Sequence, residues 1–109
     1  PKYVRARRLV EEGALGEVYF LKQCEKHDGP HSPWFWDVSR SGGGVTLDMG
    51  CHAIEFFRWI LDRPAIRSVY AQMDTHVHGD RTEGDDNALI VLEFDTPRRA
   101  VAVAEESWA

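Results

Sequence analysis

Two side chains that can move protons stand four positions apart near the middle of this 109-residue chain, Asp48 and His52. On an α-helix this spacing places them on one face, one turn apart. A carboxylate can orient an imidazole and favour its charged form, whereas a nearby helix start favours the aspartate anion and opposes the imidazolium. The pair therefore predicts a histidine that titrates near neutral pH and takes part in proton transfer. A surface pair or a satisfied buried pair has the same spacing, and that structural interpretation stays open.

A run of three glycines at residues 42–44 leads into the segment that carries this pair. Glycine admits backbone conformations closed to other residues and lets other groups approach closely. The run does not match a dinucleotide-binding fingerprint, which needs Gly-x-Gly-x-x-Gly after a strand and an acidic residue further on. No cofactor-binding residue is therefore predicted within this chain, and a plain loop before a helix is the alternative interpretation of the glycines.

Residues 26–40 form a proline-containing segment that we expect to be neither helix nor central strand. The segment contains Trp34 and Trp36, which are costly to leave in water. These two residues are predicted either to form a wall of a substrate or nicotinamide pocket, or to cover the core. Arg40 can hydrogen-bond a hydroxyl or phosphate group, although a lone arginine in a loop is more often solvated.

His76 and His78 alternate on a predicted strand beside Asp74. Such a pair can begin a metal site, but a working site needs more ligands, and the spacing shows none. No metal-binding residue is therefore predicted. A metal-dependent hydrolase that uses these histidines is the weakest of the functional hypotheses.

The periodicity of apolar residues predicts the elements that must position these side chains. The second predicted helix carries an apolar stripe for the sheet, and the last three strands are predicted to form a meander. The second predicted strand is expected to have one drier face, with Val69, Ala71, Met73 and Val77, whereas the third is apolar on both faces. The predicted ranges are helices at 2–12 and 44–61, and strands at 17–25, 65–78, 87–95 and 99–108.

Composition narrows the class of partner. The formal net charge of -5 argues against nucleic acid or an anionic membrane as a partner. No apolar run approaches the ~20 residues of a membrane span. Cys24 and Cys51 make no disulfide framework, so reduced thiols and a cytoplasmic location are expected.

Several ordered motifs resemble the Gfo/Idh/MocA oxidoreductases, which include the inositol dehydrogenase and glucose–fructose oxidoreductase types. The central match is SGGG at 41–44 followed by DMGCH at 48–52, which is similar to the Gly-Gly-Gly…Asp-x-Gly-x-His signature of that family. The flanks agree. LVEEGALGEV at 9–18 is similar to the family's helix, its glycine turn and the start of its first sheet strand. RWIL at 58–61 is similar to the end of the family's helix, and EESW at 105–108 to a late strand. The resemblance covers nearly the whole chain.

The resemblance implies a fold and a domain organisation. It implies an α+β domain with a predominantly antiparallel open sheet and helices packed on one face, of the ferredoxin-like or dihydrodipicolinate reductase-like C-terminal type. In the family an N-terminal Rossmann domain binds NAD or NADP and carries a Glu-Lys-Pro motif with the catalytic lysine. Neither that motif nor the Rossmann fingerprint occurs here. Residues 1–109 are therefore expected to be a single, partial C-terminal substrate and oligomerisation domain, inactive by itself.

The resemblance also implies a function. His52 matches the proton acceptor of the inositol dehydrogenase-like members, and Asp48 its orienting partner. Trp34, Trp36 and Arg40 are the expected substrate contacts, with a small polyol or sugar-like molecule as substrate. The alternative is a non-catalytic binding module that forms homo-oligomers through the open sheet face, where the strand at 87–95 presents apolar residues. The sequence leaves open the substrate, the choice of NAD or NADP and the direction of the reaction.

Overall fold

Four strands form one mixed sheet in the order β1-β4-β3-β2, and the helices pack on one of its faces. The computed structural model describes residues 1–109. The predicted α+β class with a mostly antiparallel sheet is confirmed. The elements in chain order are α1 (Lys2–Glu11), β1 (Phe20–Lys26), a 3-10 turn (Pro33–Trp36), α2 (Val38–Ser41), a π-helical turn (Thr46–Gly50), α3 (Cys51–Ile60), β2 (Ile66–Asp74), β3 (Asn87–Phe94) and β4 (Val101–Ser107).

The predicted meander is confirmed, since β2 pairs with β3 and β3 with β4, both antiparallel. Strand β1 then joins the far side of β4 in parallel, with Phe20 opposite Val101. Residues opposite one another in the register point to the same face. One row on the helix-covered face therefore reads Gln23, Ala104, Ile90 and Ala71 from one edge to the other.

The core lies between α3 with its preceding turn and the two central strands. Alternate residues of β3 and β4 are buried on this face because the period of a strand is two. Helix α3 contributes Ala53 and Phe57, and the turn before it contributes Met49. The fully buried Trp108, just beyond β4, completes this cluster.

The drier face predicted for the second strand, at 65–78, is wrong. All nine residues of β2 are exposed, because the helices cover the sheet only as far as β3. The predicted extension of this strand to His78 is also wrong, since β2 ends at Asp74. The backbone N–H groups of residues 76–78 turn inward to the carboxylate of Asp86 instead.

The single helix predicted for residues 44–61 is divided into two parts. It begins as a π-helical turn and becomes α-helical only from Cys51. Such turns are rare and frequently occur at functional sites. The helix ends where Asp62 and Arg63 both take positive φ angles. No helix of this structure is long and apolar enough to cross a membrane.

Candidate active site

The glycine run is held against the start of β3 by Asp85. The Asp85 carboxylate accepts hydrogen bonds from the N–H groups of Gly44 (3.2 Å) and Thr46 (2.9 Å) and from the Thr46 hydroxyl (2.5 Å). The Asp85 carbonyl accepts from the N–H of Val45 at 2.7 Å. A Cβ atom on Gly44 would lie 1.9 Å from that carbonyl oxygen. Only glycine permits this approach, which fixes where the π-helical turn begins.

The carboxylate of Asp48, in the π-helical turn, is held by a tryptophan. Its Oδ2 atom accepts a hydrogen bond of 3.0 Å from the indole Nε1 of the buried Trp108. The structure contains no hydrogen bond or ion pair between Asp48 and His52. The predicted catalytic pair therefore stands on one helical segment, but the aspartate is oriented by the last strand region rather than by the histidine.

His52 is exposed and lines a cleft of about 570 Å³. The cleft lies between α1, α3 and the helix-covered side of β1. Its other lining residues combine aromatic surface with hydrogen-bonding groups: Tyr3, Gln23, Glu25, Glu55, Phe56 and Trp59. An exposed imidazole in such a cleft can exchange a proton with a bound molecule, and the surrounding oxygens can accept hydrogen bonds from hydroxyl groups.

The structure does not bring Trp34, Trp36 and Arg40 into the His52 cleft. Trp34 stacks on Phe35, with ring centroids 4.0 Å apart. Trp36 is half-buried and packs edge-on against Trp108 at 5.3 Å. Arg40 is exposed, and its side chain has no hydrogen bond or ion pair. Their predicted substrate contacts remain predictions, and Trp36 contributes in any case to the cover of the core.

Trp36 lines a different, polar depression of about 380 Å³ between α2 and the turn at residues 79–83. The Arg81 guanidinium lies over its ring, 4.0 Å from the centroid, and the His78 imidazole meets its edge at 5.0 Å. His78 Nε2 also makes a 2.9 Å hydrogen bond with the carbonyl of Trp108. No group of three or more metal-ligating side chains occurs in the structure.

Sequence reasoning missed four positioning or buried residues: Asp85, Asp86, Trp108 and Glu106. Asp85 and Asp86 belong to a polar segment between two predicted strands, which by itself indicates only a turn, although two carboxylates directly before a buried strand suit the capture of loop N–H groups. Glu106 continues the inward alternation of Ala102 and Ala104, which is a period-two signal that the sequence carried. Burial and the nearby Glu25 raise the pKa of Glu106 to about 7.

A family model described as the GFO/IDH/MocA C-terminal domain matches residues 3–109. Trans-1,2-dihydrobenzene-1,2-diol dehydrogenase of Xenopus laevis is 27% identical over 93% of this chain and 29% of its own length. D-xylose dehydrogenase of Paenarthrobacter nicotinovorans is 27% identical over 100% of this chain and 32% of its own. This chain thus spans under a third of the curated relatives that it matches.

Among solved structures, GenD2 from gentamicin A biosynthesis in complex with NAD superposes with a TM-score of 0.88 at 33% identity. The match covers 100% of this chain and 30% of that one. The fold, the motif order and the family model thus agree.

Proposed function

Since this chain belongs to the GFO/IDH/MocA family as an oxidoreductase C-terminal domain, we propose that it forms the substrate side of an NAD(P)-dependent oxidoreductase. The proposed substrate is a polyol, a sugar or a related alcohol or carbonyl compound. The names of two relatives, a dihydrodiol dehydrogenase and a D-xylose dehydrogenase, support this class. The complex of GenD2 with NAD supports a nicotinamide cofactor.

The observation that carries the proposal is the exposed imidazole of His52 in a cleft lined by hydrogen-bond acceptors and aromatic faces. Aromatic faces pack against the C–H surfaces of a sugar-like molecule, and carboxylate and amide oxygens accept hydrogen bonds from its hydroxyls. Oxidation of an alcohol releases the hydroxyl proton. In the proposed mechanism His52 accepts this proton, and in the reverse direction it returns the proton to the carbonyl oxygen.

Asp48 acts in this mechanism as a fixed anion. The indole of Trp108 holds its carboxylate at 3.0 Å, so the negative charge keeps its place one helical turn before His52. A nearby anion favours the imidazolium that forms when the substrate proton is accepted. The role of Asp48 is thus electrostatic, and Trp108 sets its position.

The residues of this chain do not fit the nicotinamide cofactor itself. The chain has no Gly-x-Gly-x-x-Gly unit, and the N–H groups of Gly42, Gly43 and Gly44 already donate to the Val38 carbonyl, the Ser41 hydroxyl and the Asp85 carboxylate. A cofactor phosphate therefore finds no free run of N–H groups there. We assign cofactor binding to residues outside positions 1–109, and we expect calorimetry on these 109 residues alone to give no micromolar affinity for NADH.

The acid–base assignment is tested by His52→Ala and Asp48→Asn in the full-length protein. Each is expected to lower kcat/KM about 10²–10⁴-fold while the melting temperature stays near the parental value. D-xylose and myo-inositol with NAD or NADP serve as probes, and reduced nicotinamide is measured. His76→Ala is the matched control, since this imidazole is exposed outside the cleft. Parental turnover in His52→Ala would show that the histidine is structural.

A binding module remains the second candidate because the sheet face away from the helices carries an apolar strip. Leu89 and Val91 of β3 stand opposite Glu105 and Val103 of β4 in the register, and Tyr70 of β2 stands opposite Val91. An apolar strip on an open sheet face favours association of two copies. Sedimentation at micromolar concentration tests it, and a concentration-independent single-chain mass would exclude it.

A further inference from the structure

Strand β4 carries a buried carboxyl group that the proposed mechanism does not use, on Glu106. Its side chain points to the helix-covered face in line with Ala102 and Ala104, and the residue is 1% exposed. Neither carboxyl oxygen has a hydrogen-bond partner in the chain. Buried polar groups are normally paired, so the position requires an explanation.

The parallel register of β1 with β4 places two further polar side chains beside Glu106. Glu25 stands directly opposite Glu106, and Gln23 stands opposite Ala104 on the same face. Gln23 donates from Nε2 to Oε2 of Glu25 at 3.4 Å. The other amide atom of Gln23, Oε1, is buried and has no donor. Three acceptor atoms on neighbouring residues thus lack a donor.

Protonation of Glu106 supplies one of the missing donors. A carboxylate offers only acceptors, whereas a carboxylic acid offers one O–H donor, and Gln23 Oε1 needs one. Glu106 makes no ion pair. The titratable groups on the elements around this part of β4 are Glu25 and Lys26 on β1, Asp48 in the π-helical turn, His52, Glu55 and Arg58 on α3, and His76 after β2, while β3 presents Ala88. Lys26 pairs with Glu105 at 3.7 Å on the opposite face, and Arg58 pairs with Glu55 at 3.6 Å. Burial and the Glu25 charge both raise the pKa of Glu106.

We propose that Glu106 is a neutral carboxylic acid that donates to Gln23, and that Gln23 in turn positions the Glu25 carboxylate in the His52 cleft to accept a substrate hydroxyl. Glu106 and Gln23 are positioning residues in this network, and Glu25 contacts the substrate. Glu25 and His52 line the same cleft, so one hydroxyl can be held by the carboxylate while a neighbouring hydroxyl loses its proton to the imidazole. The substrate part rests on the proposed function; the protonation state of Glu106 does not.

Infrared difference spectroscopy tests the protonation state without any substrate. The full-length protein is compared with Glu106→Gln at about pH 6, where an exposed glutamate is ionised. The parent is expected to show the carbonyl band of a protonated carboxylic acid that the variant lacks. Glu105→Gln is the matched control, because its carboxylate lies on the opposite face in an ion pair with Lys22 at 2.7 Å. Absence of the band from the parent, or its loss in Glu105→Gln, overturns the proposal.

Kinetics test the network, with KM and kcat measured separately for D-xylose or myo-inositol, whichever is turned over. Glu25→Gln is expected to raise KM about tenfold with kcat changed less, as for the loss of one charged hydrogen bond in substrate binding. The parental KM is expected to rise as the pH rises through about 7, and Glu106→Gln, which keeps a permanent donor, abolishes this rise. Glu106→Ala removes the donor and raises KM at every pH.

Two kinetic results would overturn the network. One is an unchanged KM in Glu25→Gln, and the other is a rise of KM with pH that persists in Glu106→Gln. Failure of the proposed function is a separate outcome, since His52→Ala would then keep parental turnover while the infrared result still stands.

Discussion

Two buried carboxyl groups in this domain, on Asp86 and Glu106, have pKa values that are shifted in opposite directions. Asp86 is fully buried before β3, and burial alone would raise its pKa. Hydrogen bonds from the backbone of His76 and His78, the Asn87 side chain and the backbone of Val77 outweigh burial and hold the pKa of Asp86 well below its usual range. Glu106 is as deeply buried but has no donor, and its pKa is raised to about 7. The difference shows that donors, rather than depth, decide whether a buried carboxyl is charged.

The two groups accordingly serve different purposes. Asp86 accepts from three consecutive N–H groups at 2.8, 2.8 and 2.7 Å, and its charge fixes the turn after β2. This turn carries His78, whose imidazole makes a hydrogen bond with the carbonyl of Trp108. Glu106 fixes no backbone and stands one strand away from the cleft. A satisfied anion is a structural support, whereas an unsatisfied acid is free to take part in a network that changes with pH.

Removal of the satisfied anion should have the largest effect. Asp86→Ala leaves the backbone N–H groups of residues 76–78 without their charged acceptor, and the expected loss in the free energy of unfolding is about 4 kcal/mol. Urea unfolding of the full-length protein at neutral pH measures it, with the exposed Asp80→Ala as control. The stabilisation from Asp86 is present above the unfolded-state pKa and is lost as the pH falls through the lower folded-state value. If Asp86→Ala lowers the free energy of unfolding no more than Asp80→Ala does, Asp86 is not the structural support that distinguishes it from Glu106.

Replacement of the unsatisfied acid, Glu106, should raise the free energy of unfolding instead of lowering it. The folded-state pKa of Glu106, about 7, lies above the ordinary glutamate value of 4.5. The folded state therefore binds the extra proton between these values, and the parent loses stability as the pH rises across them. The expected loss is about 3 kcal/mol. Glu106→Gln should therefore be more stable than the parent at about pH 8 and nearly equal at about pH 4. Equal stability of the parent and the variant at both pH values would contradict a raised pKa of Glu106 in the folded protein.

A third carboxylate sharpens the comparison, since Asp85 supports the glycine run as Asp86 supports its turn. Gly44→Ala puts a Cβ atom 1.9 Å from the Asp85 carbonyl, and we expect a loss of about 2 kcal/mol with lower turnover, because the π-helical turn carrying Asp48 must move. Gly79→Ala is the control, as its Cβ would meet nothing closer than 3.9 Å. Thermal unfolding and kcat are measured for both variants. Equal stability and turnover in the two would show that the contact of Gly44 with Asp85 does not support the glycine run.

The sequence predicted the parts of the fold that depend on periodicity alone. The apolar run at 87–95 identifies β3, although apolar residues on both faces leave its inward face open, and the motif order identifies the helix with Asp48 and His52. Periodicity cannot tell whether another element covers a face, which is why the exposed Val69 and Met73 of β2 were expected to be drier than they are.

The candidate site was harder to predict than the fold because it depends on contacts between residues distant in sequence. Nothing in the residues around Asp48 indicates that its partner is the indole of Trp108 rather than His52. Asp85 and Asp86 differ in partners although they are adjacent, because successive side chains at the start of a strand point to opposite sides. Gln23 and Glu25 entered the site only through the parallel pairing of β1 with β4.

That parallel pairing also has a consequence for how the domain folds. Phe20 near the start of the chain pairs with Val101 near its end, whereas the antiparallel strands pair with sequence neighbours. Closing so long a loop costs entropy before any contact repays it, and such pairings slow folding. The meander can therefore form first, with β1 docking late. A chain caught before that step already has a sheet and a core but no cleft, since Gln23 and Glu25 arrive only with β1. Ligand binding would then report complete folding more faithfully than secondary structure does.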